Sequence, residues 1–188
     1  LAVVFAELGR DCHLDGDLYA AVDEGVRQAY ADGYLRKSAL ADPLQRNSNT
    51  GDNTPAIVHV RLVEGDRLVL HAAPKGGGSE NMSALWMLSP SAGRAGVVER
   101  VVERIVEAGG KPCPPLVLGI GLGGTFEKAA LLAKEAVLRP LGQPSPEPEV
   151  AGLEREILQR VNATGIGPMG LGGDTTALAV HIQRHPCH

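Results

Sequence analysis

The chain has 188 residues, with 18 lysines and arginines against 22 aspartates and glutamates, a formal charge of −4, and 44% hydrophobic residues. That is enough apolar content for a core. There is no basic block to follow a phosphate backbone and no apolar run near the roughly 20 residues of a membrane span, so nucleic-acid and membrane roles are disfavoured. Glycine is in excess at 24 residues, while Phe, Trp and Tyr make only 3% of the chain.

Residues 1–7 form a short apolar run that reads as a buried strand, followed by a polar loop from Gly9 to Gly16. Asp17 can cap a helix whose apolar positions Leu18, Ala21, Val22, Val26, Ala29 and Tyr30 recur at helical spacing, with Gly33 at its end. Residues 36–55 have no periodicity and are rich in Asn, Asp, Ser, Thr, Gly and Pro, which predicts a long ordered or functional loop. Two β-branched runs, 57–63 and 67–73, flank Glu64-Gly65-Asp66 and predict a hairpin. Lys75-Gly76-Gly77-Gly78 follows directly.

From Ala95 to Ala108 one apolar stripe (Val97, Val98, Val101, Val102, Ile105, Val106) faces away from the charged residues between its members, and Gly109-Gly110 stops the helix. Residues 116–120 read as a buried strand entering Gly121-Leu-Gly-Gly124. Thr125 caps a helix running to Leu138, and Pro140 ends it. Pro144, Pro146 and Pro148 make a stiff connection to a helix from about Val150 to Val161. A third glycine-rich run, 165–173, precedes a final strand over 176–182. Interleaved strands and helices give an α/β class, mixed α+β.

The glycines thus cluster at 76–78, 119–124 and 165–173, each expected at a junction between a strand and the next element. Lacking Cβ, such runs let backbone N–H groups approach an anion, although single glycines in tight turns are the commoner case. Residues 119–124 match G-x-G-x-x-G, the dinucleotide fingerprint, but no second strand ending in an acid follows some 20 residues on. A non-catalytic nucleotide-binding module is therefore only a remote alternative.

The three cysteines, Cys12, Cys113 and Cys187, are odd in number and form no C-x-x-C pair, so neither a closed disulfide set nor a zinc site follows. No secretory leader is visible, which points to a reducing cytoplasm. The first residue is Leu1 rather than Met, and the chain stops at His185-Pro-Cys-His188, as expected of a segment cut from a longer protein at both ends. Cys113 lies between prolines in Lys111-Pro-Cys-Pro-Pro115, where three readings are open: a buried small hydrophobe, a nucleophile or a metal ligand. One cysteine cannot by itself hold an iron–sulfur cluster.

Taken together, Leu35-Arg-Lys-Ser38, Asn49-Thr-Gly-Asp-Asn-Thr-Pro55, Lys75-Gly-Gly-Gly-Ser-Glu-Asn81, Cys113-Pro-Pro115, residues 119–125, Leu138-Arg-Pro-Leu-Gly142, residues 165–173 and His185-Pro186 form an ordered series across the chain. The series resembles the N-terminal domain, or α subunit, of class I iron–sulfur fumarate hydratases and L-tartrate dehydratases, the 75–81 segment leaning toward fumarate hydratase. The resemblance implies a [4Fe–4S] hydro-lyase interconverting fumarate and (S)-malate, or alternatively an L-tartrate or related hydroxy-acid dehydratase. It implies Cys113 as one of three cluster ligands, the other two lying beyond both ends of the chain. Arg36 is implied as the partner of a substrate carboxylate, Gly76, Gly77 and Gly78 as backbone donors to the substrate, and His185 as an active-site histidine. Cys12 and Cys187 match no ligand position, and His59 and His181 read as structural. A C-terminal catalytic domain or β subunit is the implied partner, in a homo- or hetero-oligomer, and the segment alone is expected to be inactive.

Overall fold

The computed structural model describes residues 1–188 and separates into two compact units, 1–77 and 78–188. In the first unit β1 (Ala2–Gly9) is the middle strand of three, flanked by β2 (Ile57–Val63) on one side and β3 (Leu68–Pro74) on the other. β1 runs parallel to β2, with Phe5 opposite His59, and antiparallel to β3, with Phe5 opposite His71. The expected hairpin does not form. The two runs are consecutive in sequence, but β1 lies between them. The reason is burial: Ala2, Val3, Val4, Phe5 and Ala6 are all buried, so this uninterrupted apolar run takes the position where both faces are covered. The connection over 64–67 closes around the end of β1, with Gly9 N–H donating to Arg67 and Arg10 N–H to Val63.

Helix α1 (Leu18–Asp32) begins as its sequence predicts, Asp17 accepting hydrogen bonds from the N–H groups of Tyr19 and Ala20. Only Val22 and Tyr30 on it are buried.

The second unit opens with the single turn α2 (Gly77–Glu80), at which the chain leaves the first. Its core lies among α3 (Gly93–Ala108), α5 (Pro148–Asn162) and β5 (Ala177–His185). Val98, Val101 and Ile105 meet Val150, Leu153, Ile157 and Val161, with Ala177, Val180 and Ile182 beneath. The α3 stripe is as predicted except for Val106, which is exposed. β4 (Leu116–Gly123) pairs in parallel with β5, and α4 (Phe126–Ala136) packs on β4. Thr125 precedes α4 in extended conformation, but its hydroxyl bonds Glu127 at 2.6 Å instead of capping the backbone. The final strand extends beyond 182 to His185. No helix is long and apolar enough to cross a membrane.

Candidate active site

In the first unit, the long loop is built around one side chain. Asn53 is fully buried with φ +68°, and its Oδ1 accepts the N–H groups of Ser38 at 3.0 Å and Ala39 at 2.9 Å. Asn49 reaches the same segment, its Nδ2 donating to the Lys37 carbonyl at 3.2 Å, and Leu40 and Asn49 form an isolated β-bridge. Two segments far apart in sequence, 35–38 and 49–55, thus become one ordered platform with the exposed Arg36 on it. Asp52 fastens the platform to α1 through Arg27 Nε at 3.0 Å. The Thr54 backbone N–H and hydroxyl, then Arg27, hold the Asp52 carboxyl far below the usual carboxylate range. Gly76 and Gly77 end this unit, exposed, and a Cβ on either would meet nothing within 4 Å.

In the second unit, Cys113 is exposed while its neighbours Pro112 and Pro114 are buried, and its φ is +59°. A non-glycine residue in the left-handed region is strained by about 1–2 kcal/mol, so the surrounding structure must hold it there. It does so from two sides. Cys113 N–H donates to Gly110 at 3.0 Å, and the Pro114 carbonyl accepts the N–H of Met169, itself left-handed at φ +55°, at 2.8 Å. The approach of 109–110 to 169–170 is so close that a Cβ on Gly110 would lie under 3.0 Å from the Met169 carbonyl oxygen. Gly78 comes to the same place: a Cβ on it would stand 3.1 Å from the Lys111 carbonyl oxygen, and Cys113 Sγ lies 4.0 Å from that oxygen. Parts of two glycine clusters therefore meet at the cysteine loop.

His185 is elsewhere. It closes β5 opposite Gly123, the last residue of β4, a strand whose length is roughly 23 Å at the rise of a parallel strand. Cys113 precedes the near end, so residues 78–188 do not bring Cys113 and His185 together. The His185 ring is exposed, with Nδ1 2.9 Å from the Pro186 carbonyl oxygen. A carbonyl only accepts, so Nδ1 carries the proton of the neutral ring and Nε2 is left as a base.

The 119–124 glycine cluster divides between two tasks. Gly119 and Gly121 lie inside β4, not at a junction, and a Cβ on either would fall under 3.0 Å from the α4 carbonyl oxygens of Ala133 and Ala129. These two glycines let a helix sit directly on a strand, which leaves only Gly123 and Gly124, at φ +82° and +72°, for the turn beside His185.

Three groups were not singled out by sequence reasoning. Asn53 had a signal, an asparagine after Gly-Asp in a loop rich in turn formers. Arg139 lies in the 138–142 motif but nothing there names a partner for it, and Glu154, one charge within α5, had no signal. They form an ion pair at 2.6 Å in which the Glu154 side chain is 6% exposed. Burial pushes the Glu154 carboxyl up, but the N–H groups of Ile182 and Ser145 and the Arg139 guanidinium outweigh it and hold the group below its ordinary value. His181 beside them is buried, and burial followed by the Arg139 charge pushes its ring down.

Residues 1–188 match the family model described as fumarate hydratase (Fumerase). A putative L(+)-tartrate dehydratase subunit alpha from Methanocaldococcus jannaschii is 45% identical over 193 residues, covering 99% of this chain and 67% of that protein. The L(+)-tartrate dehydratase subunits alpha of Escherichia coli strains UTI89 and K12 are 34% and 33% identical over 187 residues, covering 97% of this chain and 62% of each of theirs. The chain belongs to the fumarate hydratase family. It spans about two thirds of the length of these relatives.

Proposed function

We propose that the chain is the α-type part of a hydro-lyase that adds or removes water on a four-carbon dicarboxylic acid, with fumarate and (S)-malate as the reacting pair. The observation that carries this reading is Cys113, an exposed thiol held left-handed between two buried prolines where two glycine-rich loops meet. A thiol kept outward against a conformational preference suits a ligand better than core filling.

The group that the family implies is a [4Fe–4S] cluster. Cys113, an exposed thiol, fits as one ligand of such a cluster, and in this reading two further thiolates come from outside residues 1–188. When bound, such a cluster supplies a Lewis acid that polarises a hydroxyl about to leave. Arg36 grips a substrate carboxylate, where a planar guanidinium gives two parallel hydrogen bonds. Gly76, Gly77 and Gly78 turn backbone toward the substrate with no side chain intervening. His185 stands at the other end of the β4–β5 pair from Cys113, and its role of accepting or returning a proton at Nε2 requires the assembled full-length enzyme to bring it to the substrate. The remaining groups come from a C-terminal domain or β subunit, since the named relatives are subunits.

The test uses the full-length protein assembled with its partner half and reconstituted without oxygen. Cys113→Ser is expected to lose cluster absorbance and hydration activity, while Cys12→Ser keeps both; a Cys113→Ser enzyme with full activity would overturn the reading. Arg36→Ala should lower kcat/KM at least about tenfold, the value of a charged hydrogen bond of roughly 1.5–3 kcal/mol. The relatives' names favour a second reading, with L-tartrate as substrate. Parallel assays on fumarate and L-tartrate decide between the two.

A further inference from the structure

β5 is an edge strand, because the second unit's sheet contains only β4 and β5. In a parallel pair, a residue whose N–H and C=O do not face its neighbour strand directs both outward, and Ile182 is such a residue. Its outward groups are both taken by one ion pair: the N–H donates to Glu154 Oε1 at 2.8 Å, and the carbonyl accepts from Arg139 Nη2 at 2.8 Å. Glu154 and Arg139 are joined through Oε1 and Nη1 at 2.6 Å, and the second carboxylate oxygen accepts the Ser145 N–H at 2.9 Å. One acid and one base thus do at a single point what a third strand would do along the whole edge.

We infer that Arg139 and Glu154 are positioning residues that clamp β5 at Ile182 and thereby fix the strand end that carries His185. The placement supports this. Ile182 is three residues before His185, and the strand beyond it is held to β4 and to little else: Gln183 is half-buried, and residues 184–188 are exposed. Arg184 leans on Glu147 and Glu149, but that contact is exposed, whereas the clamp is buried at Glu154 and half-buried at Arg139. The two ends of the clamp also come from different elements. Glu154 is in α5, and Arg139 follows α4, which packs on β4, so the clamp sets β5 against both helices at once. The inference rests on the proposed role of His185, through which the clamp would act.

The test is made on the full-length assembled enzyme with Arg139→Lys, Glu154→Gln and His185→Asn. Lysine can keep one contact to Glu154 but cannot also reach the Ile182 carbonyl in a fixed fork. In Glu154→Gln, an amide replaces the carboxylate and cannot accept from Ile182, Ser145 and Arg139 together. Each clamp variant is expected to speed amide exchange at Ile182 and over 183–185 at least tenfold, with α3 exchange unchanged. Each should also lower kcat about tenfold while KM stays within twofold. A general loss of stability would instead raise exchange in α3 as well and leave kcat per folded molecule intact, and that pattern overturns the inference. Unchanged exchange at Ile182 in both variants overturns it too. If His185→Asn keeps full activity, the reading of His185 fails on its own account, whereas faster exchange at 183–185 in the clamp variants would still report the clamp. Should Arg139→Lys fail to fold, Glu154→Gln supplies the same readings.

Discussion

The two units are held in contrasting ways. In residues 78–188 a continuous cluster of valines, leucines and isoleucines from α3, α5 and β5 closes over itself, with Ile157 and Val161 fully buried. In residues 1–77 the apolar residues are spread over a sheet whose outer strands stay open, Leu62 being 72% and Leu70 48% exposed, and order in the long loop comes from amide and carboxylate side chains. The contrast shows two routes to a fixed site. Cys113 and His185 stand on the margins of a packed core. Arg36 stands on a platform made of hydrogen bonds, where one lost acceptor matters more than one lost methyl.

The optical groups divide along the same line: Tyr19, Tyr30 and Tyr34 are in the first unit and Trp86, the single tryptophan, is in the second, so each can be followed separately. The largest effect is expected from Ile157→Ala, which should destabilise the second unit by about 4 kcal/mol in denaturant unfolding followed at Trp86. Gly121→Ala should cost about 3 kcal/mol by the same measurement, because backbone must move away from backbone. Asn53→Ala removes the acceptor of two N–H groups and should cost on the order of 2 kcal/mol, read in the tyrosine signal while the tryptophan signal holds. A result in which both signals shift together would erase the contrast.

Acid provides a finer division. The folded values of both His181 and Glu154 lie below their ordinary ones, so protonation favours the unfolded chain in each case. The stability due to His181 is complete above its ordinary 6.5 and is lost as pH falls from there toward the lowered folded value. That due to Glu154 is complete above 4.5 and fades below it. Titration of stability should therefore show two steps in the tryptophan signal, and His181→Gln should abolish the upper one. The smallest effect belongs to Gly76→Ala. Its φ is not in the left-handed region and its surroundings are open, so stability should change by less than about 0.5 kcal/mol. Any loss of activity would then reflect the approach of a ligand to the backbone.

Much of the second unit was legible because helical periodicity reports burial directly: the Val98–Val101–Ile105 stripe predicted both the helix and its inward face. Strand partners were not legible. The 57–63 and 67–73 runs carry the alternation of a hairpin whether they pair with each other or with β1, and only the apolar run at the start of β1, far away in sequence, decides the matter. Glycine misled in a related way. Its sequence signature is the same whether it frees a turn, as Gly123 does, or makes room for a helix, as Gly119 and Gly121 do. Cys113 was singled out by its prolines, and Arg36 and His185 only by resemblance. The Arg139–Glu154 pair needs the fold itself to bring 15 residues of chain back to one point.

The left-handed backbone of Cys113 carries a cost that folding alone does not require. Glycine at that position would adopt φ +59° without strain, and Cys113→Gly should stabilise the segment by about 1 kcal/mol. For folding alone glycine would serve better there, as it does at Gly123 and Gly124. A thiol at a place where the backbone would be better off without any side chain answers to a demand external to local folding.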